Sequence, residues 1–89
     1  MPQVLIPPPY RGPTGGVERV QVHGATVAEC IRAIDVRFPD FSAQVFDAHG
    51  RVHRFVKLFV NGNEIDRRAV DTPVAERDEV EILAAIAGG

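Results

Sequence analysis

Cysteine occurs once in the 89 residues, at Cys30. A single thiol excludes an internal disulfide and a four-thiolate metal site, so the core alone must hold the fold. Excess positive charge is also lacking: lysines and arginines are interleaved with acids, and the formal net charge is −2. No basic face is legible along the chain, and nucleic acid is not an expected partner. Long apolar runs are missing too. Val4, Leu5 and Ile6 form the only one near the start, and Pro7, Pro8 and Pro9 end it. That is far short of a secretory core or of the ~20 residues that span a bilayer, so the expected location is the cytoplasm, with no membrane partner. No repeat or low-complexity tract is visible. The last eight residues, "ILAAIAGG", carry no charge at all, which is unusual for a terminus that meets water.

What is present is average for a globular chain, 45% hydrophobic and 25% charged, which separates it from disordered and membrane-embedded classes. The length allows one domain, residues 1–89, with a flexible tail over about residues 85–89. Val4 to Ile6 reads as a short strand. "VERVQVH", residues 17–23, alternates Val20 and Val22 against Arg19, Gln21 and His23, a second strand that pairs with the first as an antiparallel hairpin. Between them "PPPYRGPTGG" reads as one long turn in which Gly15 and Gly16 supply positive φ.

"GATVAECIRAIDVRFP" is an amphipathic helix. Thr26 and Glu29 stand in capping-box spacing, with Glu29 returning to the cap's own N–H. Val27, Cys30, Ile31, Ile34 and Phe38 form one apolar stripe, and Pro39 stops the run. Residues 39–53 read as a loop, with Phe41, Val45 and Phe46 spaced for one helical turn. "RFVKLFVNGNEI" is the strongest strand signal: Val56, Leu58 and Val60 face one side, Phe55, Lys57 and Phe59 the other, and Asn61-Gly62 is the preferred hairpin turn into Glu64 and Ile65. "RRAVDTPVAERD" is polar and turn-rich, and "EVEILAAI" is a last strand alternating Val80, Ile82 and Ala84 with Glu79, Glu81 and Leu83. One helix with one stripe covers one face of one sheet. The result is an α+β β-grasp roll, a mixed sheet of four to five strands with the first and last as parallel neighbours.

A β-grasp of this size whose last strand runs straight into Gly-Gly resembles the MoaD/ThiS family of ubiquitin-like sulfur carriers. The resemblance covers nearly the whole chain, and "HRFVKLFVNGNEI" and "AAIAGG" look closest to the carriers that deliver sulfur for cysteine biosynthesis. It implies a carrier rather than an enzyme. An activating partner of the MoeB/ThiF kind uses ATP and Mg to adenylate the carboxylate of Gly89, and a sulfur donor displaces AMP to leave a thiocarboxylate. The acceptor implied is a pyridoxal-phosphate cysteine synthase. A role as molybdopterin synthase small subunit, as a thiamine or natural-product sulfur carrier, or as a ubiquitin-like modifier conjugated through Gly89 stays open. The carrier is expected to be a monomer with no cofactor of its own.

The residues agree with that chemistry. Gly88 and Gly89 lack a Cβ and pass a narrow active-site channel, Ala84, Ala85 and Ala87 keep the segment slender, and Ile86 is its one bulky anchor. Extended from Ala84, the tail reaches about 20 Å. For docking, Phe55, Phe59 and Leu83 share one face of the paired strands, rimmed by Lys57, Glu79 and Glu81. Either they form an exposed patch beside the tail or the loop over residues 39–53 covers them.

Other chemistry is thinly supported. Cys30 belongs to the helix stripe and reads as a buried small hydrophobe. His49 and His53 are four apart, but Gly50 lies between them, a strand follows and no third ligand is evident, so no metal site is expected. The pairs Asp35 with Asp40 and Glu79 with Glu81 read as solvated charges. Gly15-Gly16 lies between strands rather than at a helix start, so it cradles no phosphate.

Overall fold

The computed structural model describes residues 1–12 and 14–84. The single α-helix among the described residues, α1, spans Val27–Arg37, and its start is fixed by hydrogen bonds from its own flanking residues and from residues 70–72. The Glu29 N–H donates to Thr26 Oγ1 at 3.2 Å. The Glu29 carboxylate accepts from the Ala25 N–H at 3.3 Å, one residue earlier than the capping-box spacing predicts. Val27 and Ala28 donate to the carbonyls of Thr72 and Val70 at 3.1 and 2.9 Å, so the N–H groups that a helix leaves open are taken up within the protein. Phe38 closes the far end by donating to the Ile34 carbonyl, ahead of Pro39. Val27, Cys30, Ile31 and Ile34 are fully buried, and Phe38 packs half-buried at the margin.

The sheet contains β1 (Gln3–Leu5), β2 (Arg19–Gln21), β3 (Val56–Val60), β4 (Asn63–Ile65) and β5 (Glu79–Ala84). Their lateral order is β2-β1-β5-β3-β4. β1 and β5 run parallel, with Val4 opposite Val80, and the other ladders are antiparallel. The β-grasp order expected from one helix and one crossover is therefore the one observed. Successive side chains alternate faces, so Val4, Val20, Val56, Leu58, Val80 and Ile82 all point to α1 and are at most 2% exposed. β5 lies in the middle of the sheet, and its last described residue, Ala84, pairs with Val56 at the start of β3.

The β3–β4 turn follows the sequence closely. Asn61 and Gly62 have φ of 52° and 83°, the left-handed pair a two-residue hairpin requires. The Asn61 side chain then bridges to β5, accepting from the Glu79 N–H and donating to Asp78, both at 2.9 Å.

Three local expectations need correction, and a fourth gains a packing role. The β1–β2 connection is not a simple turn: a 3-10 segment at Pro8–Tyr10 tucks the Tyr10 ring into the core. The second strand is shorter than its alternation, because β1 offers only three paired residues. The stretch over residues 67–78 is polar and turn-rich as expected, and it also packs against α1, with Val70 and Val74 against the core and the Val74 N–H donating to the Ala25 carbonyl. Asp35 is not a solvated charge. Its carboxylate accepts from both the backbone N–H and the hydroxyl of Ser42, tying α1 to a 3-10 turn at Ser42–Gln44.

Candidate functional site

Gly89 and the tail residues Ile86, Ala87 and Gly88, the reacting group and its approach in the sequence reading, lie outside the described residues. The surface around Ala84, the last described residue of β5, is described. On the sheet face turned away from α1, β3 contributes Lys57 and Phe59, and β5 contributes Glu79, Glu81 and Leu83. The ladder sets Leu83 opposite Lys57 and Phe59 opposite Glu81. Leu83 is 42% exposed and Phe55 39%, while Phe59 is half-buried.

The question of cover is answered by the loop that could have supplied it. Phe41, Val45, Phe46 and Val52 all turn into the core, so residues 39–53 spend their apolar side chains under α1 and leave the outer face open. Two features of the expected patch differ. Phe59 and Leu83 are diagonal rather than direct neighbours, so the patch is a checkerboard in which Lys57 and Glu81 alternate with the apolar pair. Phe55 lies in a turn just before β3, not on the strand. The Val56 N–H donates to the His53 carbonyl at 2.9 Å, closing that turn, and the Phe55 ring stacks on the His53 imidazole with centroids 5.0 Å apart.

Sequence reasoning missed one neighbour of Leu83. Leu5 of β1 stands opposite Glu81 and remains half-buried. With Leu83, Pro7, Pro8 and Arg11 it lines a shallow depression of about 230 Å³ beside the end of β5. The position of Leu5 between the inward residues Val4 and Ile6 was the available signal.

Among the described residues no alternative centre forms elsewhere. Cys30 is fully buried, and burial, followed by the nearby Glu29 charge, pushes its thiol pKa up, which withholds the reactive thiolate. Among the described residues no three His, Cys, Asp or Glu side chains gather in a way that could hold a metal. Glu79 and Glu81 share the outer face without a third catalytic group. No helix among the described residues is long and apolar enough to cross a membrane.

A mixed five-stranded sheet gripping one helix, with its last strand central and running out beside an open apolar patch, defines a ubiquitin-like protein. The chain belongs to the ThiS family, whose model matches residues 4–89. It is 34% identical to the sulfur carrier protein CysO of Mycobacterium tuberculosis, over 97% of this chain and 96% of that protein. Among solved structures, CysO in the Amycolatopsis orientalis BexX/CysO complex superposes with a TM-score of 0.88 at 33% identity, covering the whole of both chains. M. tuberculosis CysO superposes at 0.87 with 30% identity, over 97% of this chain and all of that one. These relatives carry the name of carrier rather than of enzyme.

Proposed function

We propose that the chain is a sulfur carrier whose terminal carboxylate, on Gly89, is adenylated and then converted to a thiocarboxylate. The observation that carries this reading is the similarity to CysO along almost the entire chain. It is supported by the placement of β5 between β1 and β3, next to an open patch.

The chemistry follows from the carboxylate's poor electrophilicity. The activating partner joins the Gly89 carboxylate to the α-phosphate of ATP, releasing pyrophosphate and giving an acyl-adenylate. Sulfide from a donor then attacks the carbonyl carbon, and AMP leaves with the electron pair of the broken C–O bond. The product is a thiocarboxylate whose sulfur is nucleophilic. In a cysteine-forming pathway, that sulfur displaces the leaving group of an activated serine derivative held by a pyridoxal-phosphate synthase, and hydrolysis of the carrier thioester so formed restores the Gly89 carboxylate and frees the sulfur as cysteine. The carrier supplies its own terminus as co-substrate in the cytoplasm, and Leu83, Phe59 and Phe55 supply the docking contacts. The complex of the Amycolatopsis relative with BexX supports docking of this kind by a folded carrier.

The test is intact mass spectrometry after incubation with Mg-ATP, sulfide and an adenylating enzyme encoded in the same genome. The carrier reading predicts a gain equal to the exchange of one oxygen for sulfur, lost when Gly89 is deleted. Isopeptide conjugates to lysine without that species would instead establish a protein modifier. Likeness to the small archaeal modifier protein 1 of Haloferax volcanii, at 23% identity and a TM-score of 0.77, reflects the shared fold alone.

A further inference from the structure

Arginines remote in the sequence converge at the end of the sheet where Ala84 leaves β5. Arg51 and Arg54 come from the loop that leads into β3, and Arg67 and Arg68 from the segment that leaves β4. Together with His53 they line an open groove of about 720 Å³, in which Asp47 is the one acidic lining residue. The sheet register explains the meeting. Val56 pairs with Ala84 and Leu58 with Ile65, so the approach to β3, the exit from β4 and the root of the tail all lie at one end of the sheet.

The charges in this groove are unspent. Asp47 uses one carboxylate oxygen to accept from the N–H groups of His49 and Arg51 at 2.8 and 3.0 Å. Arg68 is engaged by Asp66 at 3.2 Å. The guanidiniums of Arg51, Arg54 and Arg67 take part in no ion pair or side-chain hydrogen bond among the described residues, and all three are exposed. Elsewhere the surface is acidic enough to bring the whole chain to a net charge of −2. Guanidiniums present planar forks that match carboxylates two bonds at a time.

We infer that this groove is a second docking element, which receives a carboxylate-rich rim around the tail-binding channel of a partner enzyme. The inference rests on the carrier reading for the identity of that partner. If the last five residues are threaded into another protein's active site, whatever flanks the root of the tail must lie against that protein's surface. The register puts the groove at that same end of the sheet. A partner offering Asp and Glu there gains charge-assisted hydrogen bonds and steering that fade with salt. The same contacts oppose an enzyme with a basic rim, so the groove also selects among acceptors.

The experiment uses the full-length ¹⁵N-labelled protein, with poly-L-glutamate as a probe for a carboxylate-rich surface and inorganic phosphate and pyrophosphate as comparisons. Poly-glutamate is expected to shift the Arg51, Arg54 and Arg67 side-chain N–H signals and the amides of residues 51–54 and 66–68. The shifts should fade as salt rises from about 0.05 to about 0.3 M. The double reversal R54E/R67E should abolish them without lowering Tm, whereas R19E, at the far edge of the sheet on β2, should leave them in place. Shifts spread evenly over the surface, shifts that survive the reversal, or no shifts at all overturn the assignment. Saturation by pyrophosphate at lower concentration than by poly-glutamate also overturns it, because the groove would then be a small-anion site. None of these readouts involves adenylation, so the outcome is independent of the mass test of the carrier reading.

Discussion

Leu83 stands directly opposite Lys57 across the β3–β5 ladder, an exposed apolar side chain whose nearest cross-strand neighbour is a cation. Replacing Leu83 by Asp places a carboxylate at the centre of the proposed docking face without touching the core. The expected result is a drop of about tenfold or more in kcat/KM for thiocarboxylate formation. Tm should move by less than about 4 °C, as for other exposed substitutions. Unimpaired loading would remove Leu83 from the interface.

Gly24 is held against the first turn of α1. A Cβ built there lies 2.8 Å from the backbone nitrogen of Cys30 and 2.9 Å from its Sγ, closer than non-bonded atoms tolerate. Gly24→Ala is expected to destabilise the fold by about 1–3 kcal/mol through overpacking. Thermal unfolding should register this as a fall of roughly 4–8 °C per kcal/mol. Adding Cys30→Ala should not restore stability, because the nearer contact is with main chain that no side-chain truncation removes.

Cys30 sets up a labelling experiment. Its thiol is fully buried and its pKa is raised, first by burial, so native protein should resist iodoacetamide until denatured. A thiocarboxylate on Gly89 would alkylate under native conditions. Native labelling that appears only after incubation with Mg-ATP, sulfide and the adenylating enzyme, and persists in Cys30→Ala, would locate the sulfur at the terminus. Equal labelling before and after loading would contradict that.

Acid should weaken the fold in a defined direction. Asp78 is held below the ordinary carboxylate pKa, first by the Ala75 N–H and then by the Asn61 amide. Asp47 is held down by the N–H groups of Arg51 and His49, and Asp66 by Arg68. In each case the unfolded chain takes up the proton first, so stability is complete above an unfolded pKa of ~3.9 and is lost as pH falls through the lower folded values. Urea midpoints should therefore be flat from pH 7 to about 5 and decline below about 4. Asp78→Asn should be less stable at neutral pH and should show a shallower acid decline.

Local signals were legible where neighbours in sequence are neighbours in space. Thr26 and Glu29 marked the helix start, Asn61-Gly62 the hairpin, and the alternation around Ile82 already put Leu83 on the outer face. What depended on another segment was not legible. Parity placed Phe55 on a strand, but the hydrogen bond from Val56 to the His53 carbonyl turns the chain one residue sooner. The patch looked continuous until the register set Lys57 against Leu83 and Glu81 against Phe59. Asp35 gave no sign of its bond to Ser42, because a loop had to fold back to provide it. The arginine groove was hidden for the same reason. Its cations come from two stretches that each look mixed in charge, and only the ladders of β3 bring them together. The tail residues from Ile86 to Gly89 lie outside the described residues, and their role rests on chemistry and on the relatives.

The central position of β5 has a mechanical consequence. Ala84 is the end of a strand bonded on both sides, to β1 in parallel and to β3 in antiparallel order. Its hydrogen bonds run across the strand direction. Tension applied to the tail along that direction loads both ladders in shear, so many bonds share it at once rather than parting one by one. If the proposed partner draws the terminus into its channel, this arrangement lets it hold the tail taut while the domain outside stays folded.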